Sequence, residues 1–280
     1  MILLTGATGT IGRATLQLLQ KKGQDVIAVT RDGAKASLPP GTRIFTGNPS
    51  APATLADAFA GVEAMLLSPR AVGESSIELL ALAAKHGVKR VVVLSAVTVE
   101  YGGGYARFSE GFKAIESAAV ASGLEWTFLR SAPYAANAMA WSEQIKATGS
   151  VSSAYGNART SPIHERDVAA IAALALVEDE HAGNAYAMTG PQSLTQRDQI
   201  GLLGDATGQA LTFNEVPPEQ VRKSMIAQGA PADVPDRMLG YLAACIDQPG
   251  PTTDVVERLL GRSAMTFLDW AKEHGAAFKR

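Results

Sequence analysis

The sequence predicts an α/β fold built on a doubly wound parallel sheet, with a smaller α/β lobe in the C-terminal half. Short β-branched runs alternate with amphipathic helical segments from the N-terminus onward. Several helical segments end at a glycine, such as Gly23, Gly87 or Gly123. The alternation becomes irregular after about Ala135. We therefore expect a first domain over residues 1–134 and a smaller lobe over residues 135–280, some of whose segments return to the first domain.

The predicted sheet consists of six apolar runs whose interiors suit strands buried on both faces. These runs are Met1–Thr5, Asp25–Thr30, Thr42–Thr46, Glu63–Leu67, Arg90–Ser95 and Trp126–Arg130. The helices predicted between them are Ile11–Lys22, Ala53–Phe59, Ser75–His86 and Phe108–Ser122. In the smaller lobe the predicted helices are Asp167–Val177, Gln196–Thr207, Pro218–Gln228 and Pro235–Asp247.

Composition excludes several classes of function. The 280 residues carry 27 acidic and 25 basic side chains, a net charge of −2, and no basic stripe that would indicate a nucleic-acid partner. Cys245 is the single cysteine, which we interpret as a buried apolar residue in a reducing compartment. No basic segment precedes an apolar run at the start, and runs such as Val168–Val177 are too short to cross a bilayer. We expect a cytoplasmic protein with no membrane partner.

A glycine loop follows the first strand and opens the first helix. In the order Gly6, Gly9, Gly12, these residues would allow a tight turn, a close approach to a pyrophosphate, and close packing of helix on sheet. The alternative is a glycine-rich turn in a sheet that binds nothing. Because strand, glycines and helix are in register, we predict a dinucleotide-binding Rossmann domain whose phosphate loop also includes Thr8, Thr10 and Ile11.

Arg31 follows the second strand, where an NAD-binding site usually carries an acid for the ribose hydroxyls. A guanidinium suits a 2′-phosphate, so we predict NADP(H) as the cofactor. The alternatives are a solvated arginine in a turn, and Asp32 turned toward the ribose.

Four further residues complete the predicted cofactor site. Ser68 and Arg70 follow the fourth strand, where a loop would cover the cofactor, although Arg70 could equally be a plain surface charge. Ser95 ends the fifth strand, and Pro133 follows the sixth.

Several segments in combination resemble the NmrA-like branch of the atypical short-chain dehydrogenases, over nearly the whole chain. They are TGATGTIG at 5–12 with Arg31, 116–130, 133–137, 161–169 and 256–262 before Thr266-Phe267. The resemblance implies a Rossmann domain with a small C-terminal lobe and a cleft that holds the nicotinamide. It also implies NADPH-dependent quinone or azo reduction, or a redox sensor without turnover.

The chain departs from the short-chain dehydrogenases at the Tyr-x-x-x-Lys pair, whose tyrosine acts as a general acid. The two expected positions carry Phe108 and Phe112, and neither Tyr101 nor Tyr105 has a lysine four residues on. Lys113 lies one residue past the catalytic lysine of the phenylpropanoid reductases, a rotation of about 100° on a helix. Lys113 is therefore expected to point away from that position, but it stays a candidate catalytic residue that could contact the cofactor or the substrate. The same absence weakens the case for an isomerase or epimerase.

Two functions remain open. The first is an NADPH-dependent reductase whose small planar electron acceptor, a quinone or azo compound, needs little proton donation from the protein. The second is a non-catalytic NADP(H) sensor with a protein partner. Self-association and an additional flavin stay open in both.

The candidate positioning residues of the reductase are Tyr134 and Asn137, which follow the sixth strand at the edge expected to meet the nicotinamide. The alternatives are a tyrosine packed against the small lobe and an asparagine that caps a helix. Met139, Trp141 and Tyr155 could line a planar acceptor or belong to the core.

No metal site is predicted. The four histidines, His86, His164, His181 and His274, are far apart, and none has a second ligand at metal spacing. The run from His164 to Asp167 resembles an acid/base cluster, but we interpret it as the capped start of a helix.

Overall fold

The computed structural model describes residues 1–102 and 106–279, and only the backbone of Ala106 and Arg107. The strands in this part of the chain are β1 (Ile2–Leu4), β2 (Val26–Thr30), β3 (Arg43–Thr46), β4 (Ala64–Leu67), β5 (Arg90–Ala96), β6 (Glu125–Ser131), β7 (Ser150–Ser153), β8 (Arg159–Thr160), β9 (Asn184–Met188), β10 (Leu194–Thr195) and β11 (Thr212–Glu215). The six predicted strands are therefore confirmed to within two residues at each end.

The α-helices of the described residues are α1 (Thr10–Lys21), α2 (Pro69–Val72), α3 (Ser76–Lys85), α4 (Thr98–Tyr101), α5 (Ala106–Ala121), α6 (Ser142–Thr148), α7 (Glu165–Ala175), α8 (Gln196–Thr207), α9 (Pro218–Ala227), α10 (Asp233–Asp247), α11 (Val255–Leu260) and α12 (Phe267–His274). Short 3₁₀ helices cover Pro52–Phe59, Gly73–Ser75, Ala135–Trp141, Asp179–His181 and Gly275–Phe278. The segment predicted as a helix at Ala53–Phe59 is thus a 3₁₀ helix.

Within the described residues, seven strands form one sheet in the order β3-β2-β1-β4-β5-β6-β9. The pairs from β3 to β6 are parallel, and β1 pairs with β2 on one side and with β4 on the other. The direction of winding reverses between β1 and β4. The predicted doubly wound Rossmann fold is confirmed, and this reversal is the point at which such sheets bind ligands beyond the carboxyl ends of their strands.

The burial of β3 corrects one expectation. The interiors of β1, β2, β4 and β5 are buried, but three of the four residues of β3 are exposed, including Ile44 at 39%. The strand lies at the end of the sheet order, so one of its sides has no neighbouring strand among the residues that the structure describes. An apolar run in the sequence does not distinguish a central strand from such an edge.

The described residues group into two compact units. The first comprises Met1–Val99, Glu110–Ser131 and Glu165–Ala187, and the second comprises Glu100–Ser109, Ala132–His164 and Met188–Arg280. The core of the first unit is formed by the apolar strands and by side chains such as Leu79 and Phe59. The core of the second unit surrounds Trp270, whose side chain is fully buried.

The second unit contains elements that the sequence did not predict. Two small sheets pair β8 with β10 in the antiparallel sense and β7 with β11 in the parallel sense. Helix α12 begins at a capping box in which Thr266 and Asp269 bond reciprocally through side chain and backbone. Strands of two to four residues and a helix of eight give too little periodicity to be recognised without their packing partners.

Two remaining expectations concern burial and membrane crossing. Cys245 is buried as predicted, and burial raises the pKa of its thiol. Among the residues described, no helix has both the length and the apolar character that a bilayer crossing demands.

Two glycines, one after a helix and one inside a helix, yield predictions of opposite sign for the free energy of unfolding. Gly87 follows α3 with φ of +84°, whereas Gly111 lies inside α5, and an added Cβ would meet nothing at either site. Gly87→Ala should lower the free energy of unfolding by about 1 kcal/mol, since the left-handed region disfavours a Cβ. Gly111→Ala should raise it by about 1 kcal/mol through helix propensity. Urea denaturation measures both, and a loss of stability at Gly111 would contradict the assigned helix.

Candidate functional site

The loop between β1 and α1 depends on the small size of its glycines. A Cβ on Gly12 would lie 2.3 Å from the carbonyl oxygen of Gly6, a distance that no real structure tolerates. Gly6 has φ of +68°, and its carbonyl oxygen accepts a hydrogen bond from the N–H of Gly9 at 2.9 Å. The close contact between helix and loop that the sequence predicted is therefore present in the backbone itself.

The first turn of α1 is free to bind an anion. Its N-cap residue is Gly9, which has no side chain to cap the helix, and the first turn contains no acidic residue. Thr8, Gly9 and Thr10 are exposed, whereas the side chain of Ile11 is buried, so Ile11 could contribute only its backbone N–H. Uncapped N–H groups at the start of a 12-residue helix attract phosphate, so these residues fit the pyrophosphate of a dinucleotide.

The end of β4 lies against this loop. The Thr5 hydroxyl donates to the carbonyl oxygen of Leu66 and accepts from the N–H of Ser68, both at 2.8 Å. A Cβ on Gly6 would lie 2.8 Å from the Cβ of Ser68. The structure thus brings the predicted residues Gly6 and Ser68 together, while Arg70 is an exposed side chain on α2.

The turn after β2 separates the roles of its two charged residues. The Asp32 carboxylate accepts from the backbone N–H groups of Ala34 and Lys35 at 3.1 and 3.2 Å, and it pairs with the Lys35 ammonium at 3.1 Å. Asp32 is therefore engaged by its own turn. Arg31 is exposed and forms no ion pair with any residue that the structure describes, so its guanidinium is available to a ligand.

Arg13 is a residue near this turn that sequence reasoning missed. Its guanidinium donates to the carbonyl oxygen of Ser37, which fastens the loop after β2 to α1. The available signal was its position one residue past Gly12, on the helix that opens at the phosphate loop.

Ser95 at the carboxyl end of β5 donates a hydrogen bond to a buried carboxylate. Its hydroxyl lies 2.6 Å from Oε1 of Glu116, and Glu116 forms a bidentate ion pair with Arg130 at 3.0 and 2.7 Å. Because a carboxylate can only accept, the Ser95 proton must point to Glu116. Ser95 can therefore offer a ligand its lone pairs but no proton. Sequence reasoning listed Ser95 and missed Glu116.

The inner face of α5 carries no proton donor at the two positions expected for a Tyr-x-x-x-Lys pair. Phe108, Phe112 and Glu116 follow one another at intervals of four and so share a face. Lys113 is exposed and about 100° away from Phe112 around the helix. Tyr101 is exposed, and Tyr105 lies outside the described residues.

The segment after β6 contains the candidate positioning residues. The Pro133 carbonyl accepts from the N–H of Ile163 at 3.0 Å, and Tyr134 bridges to the same residue and precedes the 3₁₀ helix Ala135–Trp141. Asn137 is exposed inside this helix, and its amide makes no side-chain hydrogen bond within the described part of the chain. The helix-capping alternative for Asn137 is wrong, because the N-cap position is that of Tyr134.

The three residues considered for an acceptor wall differ in their surroundings. Trp141 packs against the core around Trp270, and Met139 is 39% exposed. Tyr155 is half-buried with φ of +61°, and its carbonyl accepts from the Gln196 amide at 3.0 Å. Trp141 and Tyr155 both pack against core clusters of the second unit, as the alternative interpretation held.

The contacts among Ser95, Glu116 and Arg130 yield a stability prediction. Glu116→Gln should lower the free energy of unfolding by about 2 kcal/mol, because the Arg130 guanidinium loses its carboxylate partner in a largely buried place. Glu110→Gln, an exposed change on the same helix, should stay within about 0.5 kcal/mol of the parent. Chemical denaturation of the two variants compares them, and equal stabilities would refute the importance of the pair.

Comparison with known proteins agrees with this geometry. Residues 6–179 match the model of the family described as NAD(P)H-binding. The (4-alkanoyl-5-oxo-2,5-dihydrofuran-3-yl)methyl phosphate reductase of Streptomyces griseus is 32% identical over 279 residues, 99% of each chain, and the NAD(P)H azoreductase of Xenophilus azovorans is 30% identical over 290 residues, again 99% of each. The NADPH-dependent quinone oxidoreductase QOR2 of Escherichia coli, solved with NADPH, shares the fold with a TM-score of 0.84 at 22% identity, over 98% of this chain and 99% of that one.

A phosphate loop that fits a dinucleotide, a family model that covers more than half of the chain and two relatives of full length lead to one assignment. The chain belongs to the NAD(P)H-binding family and is an NAD(P)H-dependent oxidoreductase related to the azo and quinone reductases.

Proposed function

We propose that the protein is an NADPH-dependent reductase of conjugated, electron-poor acceptors such as quinones or azo compounds, and that it works without a protein proton donor of the Tyr-x-x-x-Lys kind. The observation that carries this proposal is that the expected groups at the carboxyl end of β5 and on α5 have no proton to donate to an acceptor. The Ser95 hydroxyl donates to Glu116, and the two expected donor positions are Phe108 and Phe112.

The lack of a proton donor favours one class of acceptor. Reduction of an aldehyde produces an alkoxide, which needs a proton in the transition state. A quinone that accepts hydride gives a phenolate stabilised by conjugation, and its oxygen can take a proton from water. A site without a donor therefore suits acceptors whose product anion is delocalised. The relatives are named as reductases of an alkanoyl dihydrofuranone phosphate and of azo compounds, which are conjugated systems of this type.

The cofactor role is divided among the residues of the first unit. NADPH supplies the hydride when it is bound. The backbone N–H groups of the Gly6–Gly12 loop would hold the pyrophosphate, and Arg31 would pair with the 2′-phosphate because Asp32 is engaged in its turn. Ser68 and Ser95 are proposed to border the cofactor, and Arg70 to add a phosphate contact.

The acceptor role is assigned to the segment that follows β6. Pro133 is proposed to border the cofactor, while Tyr134 and Asn137 orient the acceptor through the tyrosine ring and the unengaged amide. Lys113 is exposed and lies off the face of Phe112, so we assign it no step. The protein's contribution to the rate is then alignment of the acceptor with the nicotinamide.

A panel of acceptors tests the proposed reaction. Oxidation of NADPH by the purified protein is followed by nicotinamide absorbance with a quinone, an azo dye and a simple aldehyde. Turnover with quinone or azo dye and none with aldehyde is expected. Aldehyde reduction at a comparable rate would reveal a proton donor and refute the proposal, and tight NADPH binding with no turnover on any acceptor would favour a sensor.

The role of Arg31 has its own test. Arg31→Ala should raise the Kd for NADPH about tenfold or more, the cost of losing a charge-assisted phosphate contact, and should change the Kd for NADH about twofold at most. Arg258→Ala removes another exposed arginine, on α11, and serves as the matched control. Fluorescence titration measures each Kd. Equal losses for NADPH and NADH, or none, would show that Arg31 does not contact the 2′-phosphate.

A further inference from the structure

Three potential metal ligands meet at the turn between α7 and β9. Glu178, Glu180 and His181 each direct one ligand atom into a space in which these atoms lie within 4.8 Å of one another. The turn is the 3₁₀ helix Asp179–His181, whose N-cap residue is Glu178, and the Glu178 carboxylate lies 3.4 Å from Nε2 of His181. All three belong to the first unit.

The imidazole of His181 supplies an independent sign of a ligand. The His181 side chain is 4% exposed, and its Nε2 is buried with no hydrogen-bond partner among the described residues. Nε2 lies 3.4 Å from the Glu178 carboxylate, outside hydrogen-bond geometry. A buried imidazole nitrogen without a partner is costly unless another group satisfies it.

The other ring nitrogen determines how Nε2 can be satisfied. Nδ1 of His181 lies 3.0 Å from the Tyr186 hydroxyl. When Nδ1 donates to that oxygen, the Nε2 lone pair faces the two carboxylates, and three electron-rich groups converge. In that tautomer, a cation between the three groups would stabilise them. A second-shell partner on the far nitrogen is also the usual companion of a metal-binding histidine.

Distances agree with a small divalent cation. Tetrahedral zinc with bonds of about 2.0–2.1 Å holds neighbouring ligand atoms about 3.4 Å apart. The separation of 3.4 Å between His181 Nε2 and the Glu178 oxygen equals that spacing. Glu180 is exposed, so rotation of its side chain can complete the third bond.

Within the described part of the chain, the charged residues next to this cluster pair with one another and not with Glu178, Glu180 or His181. Asp179 lies between the two glutamates in sequence but pairs with Arg90, which also contacts Glu125 at 3.3 Å. The carbonyl oxygen of His181 accepts from the Thr127 hydroxyl on β6 at 2.8 Å, which holds the turn against the sheet. The backbone that carries the ligands is therefore fixed before any ion arrives.

We propose that Glu178, Glu180 and His181 bind a divalent cation of the zinc class, with water as the remaining ligand, and that the ion braces the entry to β9. The proposal departs from the sequence expectation of no metal site. That expectation held that no histidine has a second ligand at metal spacing, whereas here two carboxylates close in the chain lie beside His181. The site is independent of the cofactor loop and of the proposed reaction.

The test uses the full chain without a tag, stripped by a chelator and titrated with zinc chloride in a calorimeter. One zinc ion per chain is expected, and the melting temperature should rise with zinc. Glu178→Gln and Glu180→Gln should each weaken zinc binding about tenfold or more, because each removes one of three protein ligands. Cobalt(II) in place of zinc should give visible absorption of a low-coordinate site, which both variants lose.

Two controls distinguish this site from general surface binding. Glu63→Gln changes an exposed carboxylate elsewhere in the first unit, and His86→Gln changes an exposed histidine, and both should keep the parental zinc affinity. The glutamate variants keep the buried imidazole, so a folding defect at His181 does not confuse the result. No stoichiometric zinc binding, or equal binding by parent and glutamate variants, overturns the proposal.

Discussion

The contact between the backbone of Gly12 and the carbonyl oxygen of Gly6 is the constraint on which the nucleotide side of the molecule depends. Helix α1 can start this close to β1 only because Gly12 has no Cβ. The approach sets the loop so that the first turn of α1 presents uncapped N–H groups, with Ser68 of the neighbouring strand end packed against Gly6. Backbone packing therefore gives this loop a geometry that fits a phosphate, with no charged side chain in the loop itself.

Around this loop, hydrogen bonds commit several polar groups and leave others available. Asp32 is held by its own turn, so Arg31 remains as the charge beside the loop. The Ser95 proton is held by Glu116, which Arg130 neutralises. In both places a committed group removes one chemical option, an acid for the ribose in one case and a proton donor in the other. The specificity of such a site follows from these commitments as much as from the groups that remain free.

In the first unit, the two ends of the sheet strands carry different polar groups. The carboxyl ends of the strands carry the glycine loop, Arg31 and Ser95, where winding reversal opens the sheet to ligands. The turn that carries His181 precedes β9, and its neighbour Gly183 donates to the carbonyl oxygen of Trp126 near the start of β6. Polar groups buried near the start of β6 hold β9, the last strand of the sheet, in place.

The sequence alone determined six of the seven strands of the main sheet, the helix-ending glycines, the glycine loop and the family, because each rests on local patterns of apolar residues and glycine in a fixed order. It did not predict β9, a strand of five residues that adds to the sheet beside β6. Gly23, Gly87 and Gly123, which were predicted to end helices, all have positive φ. Tertiary structure alone decided which side chains meet. Glu116 reaches Ser95 across 21 positions and Arg130 across 14, and the small sheets of the second unit pair segments up to 62 positions apart. Such pairings depend on how elements pack, which no local pattern records.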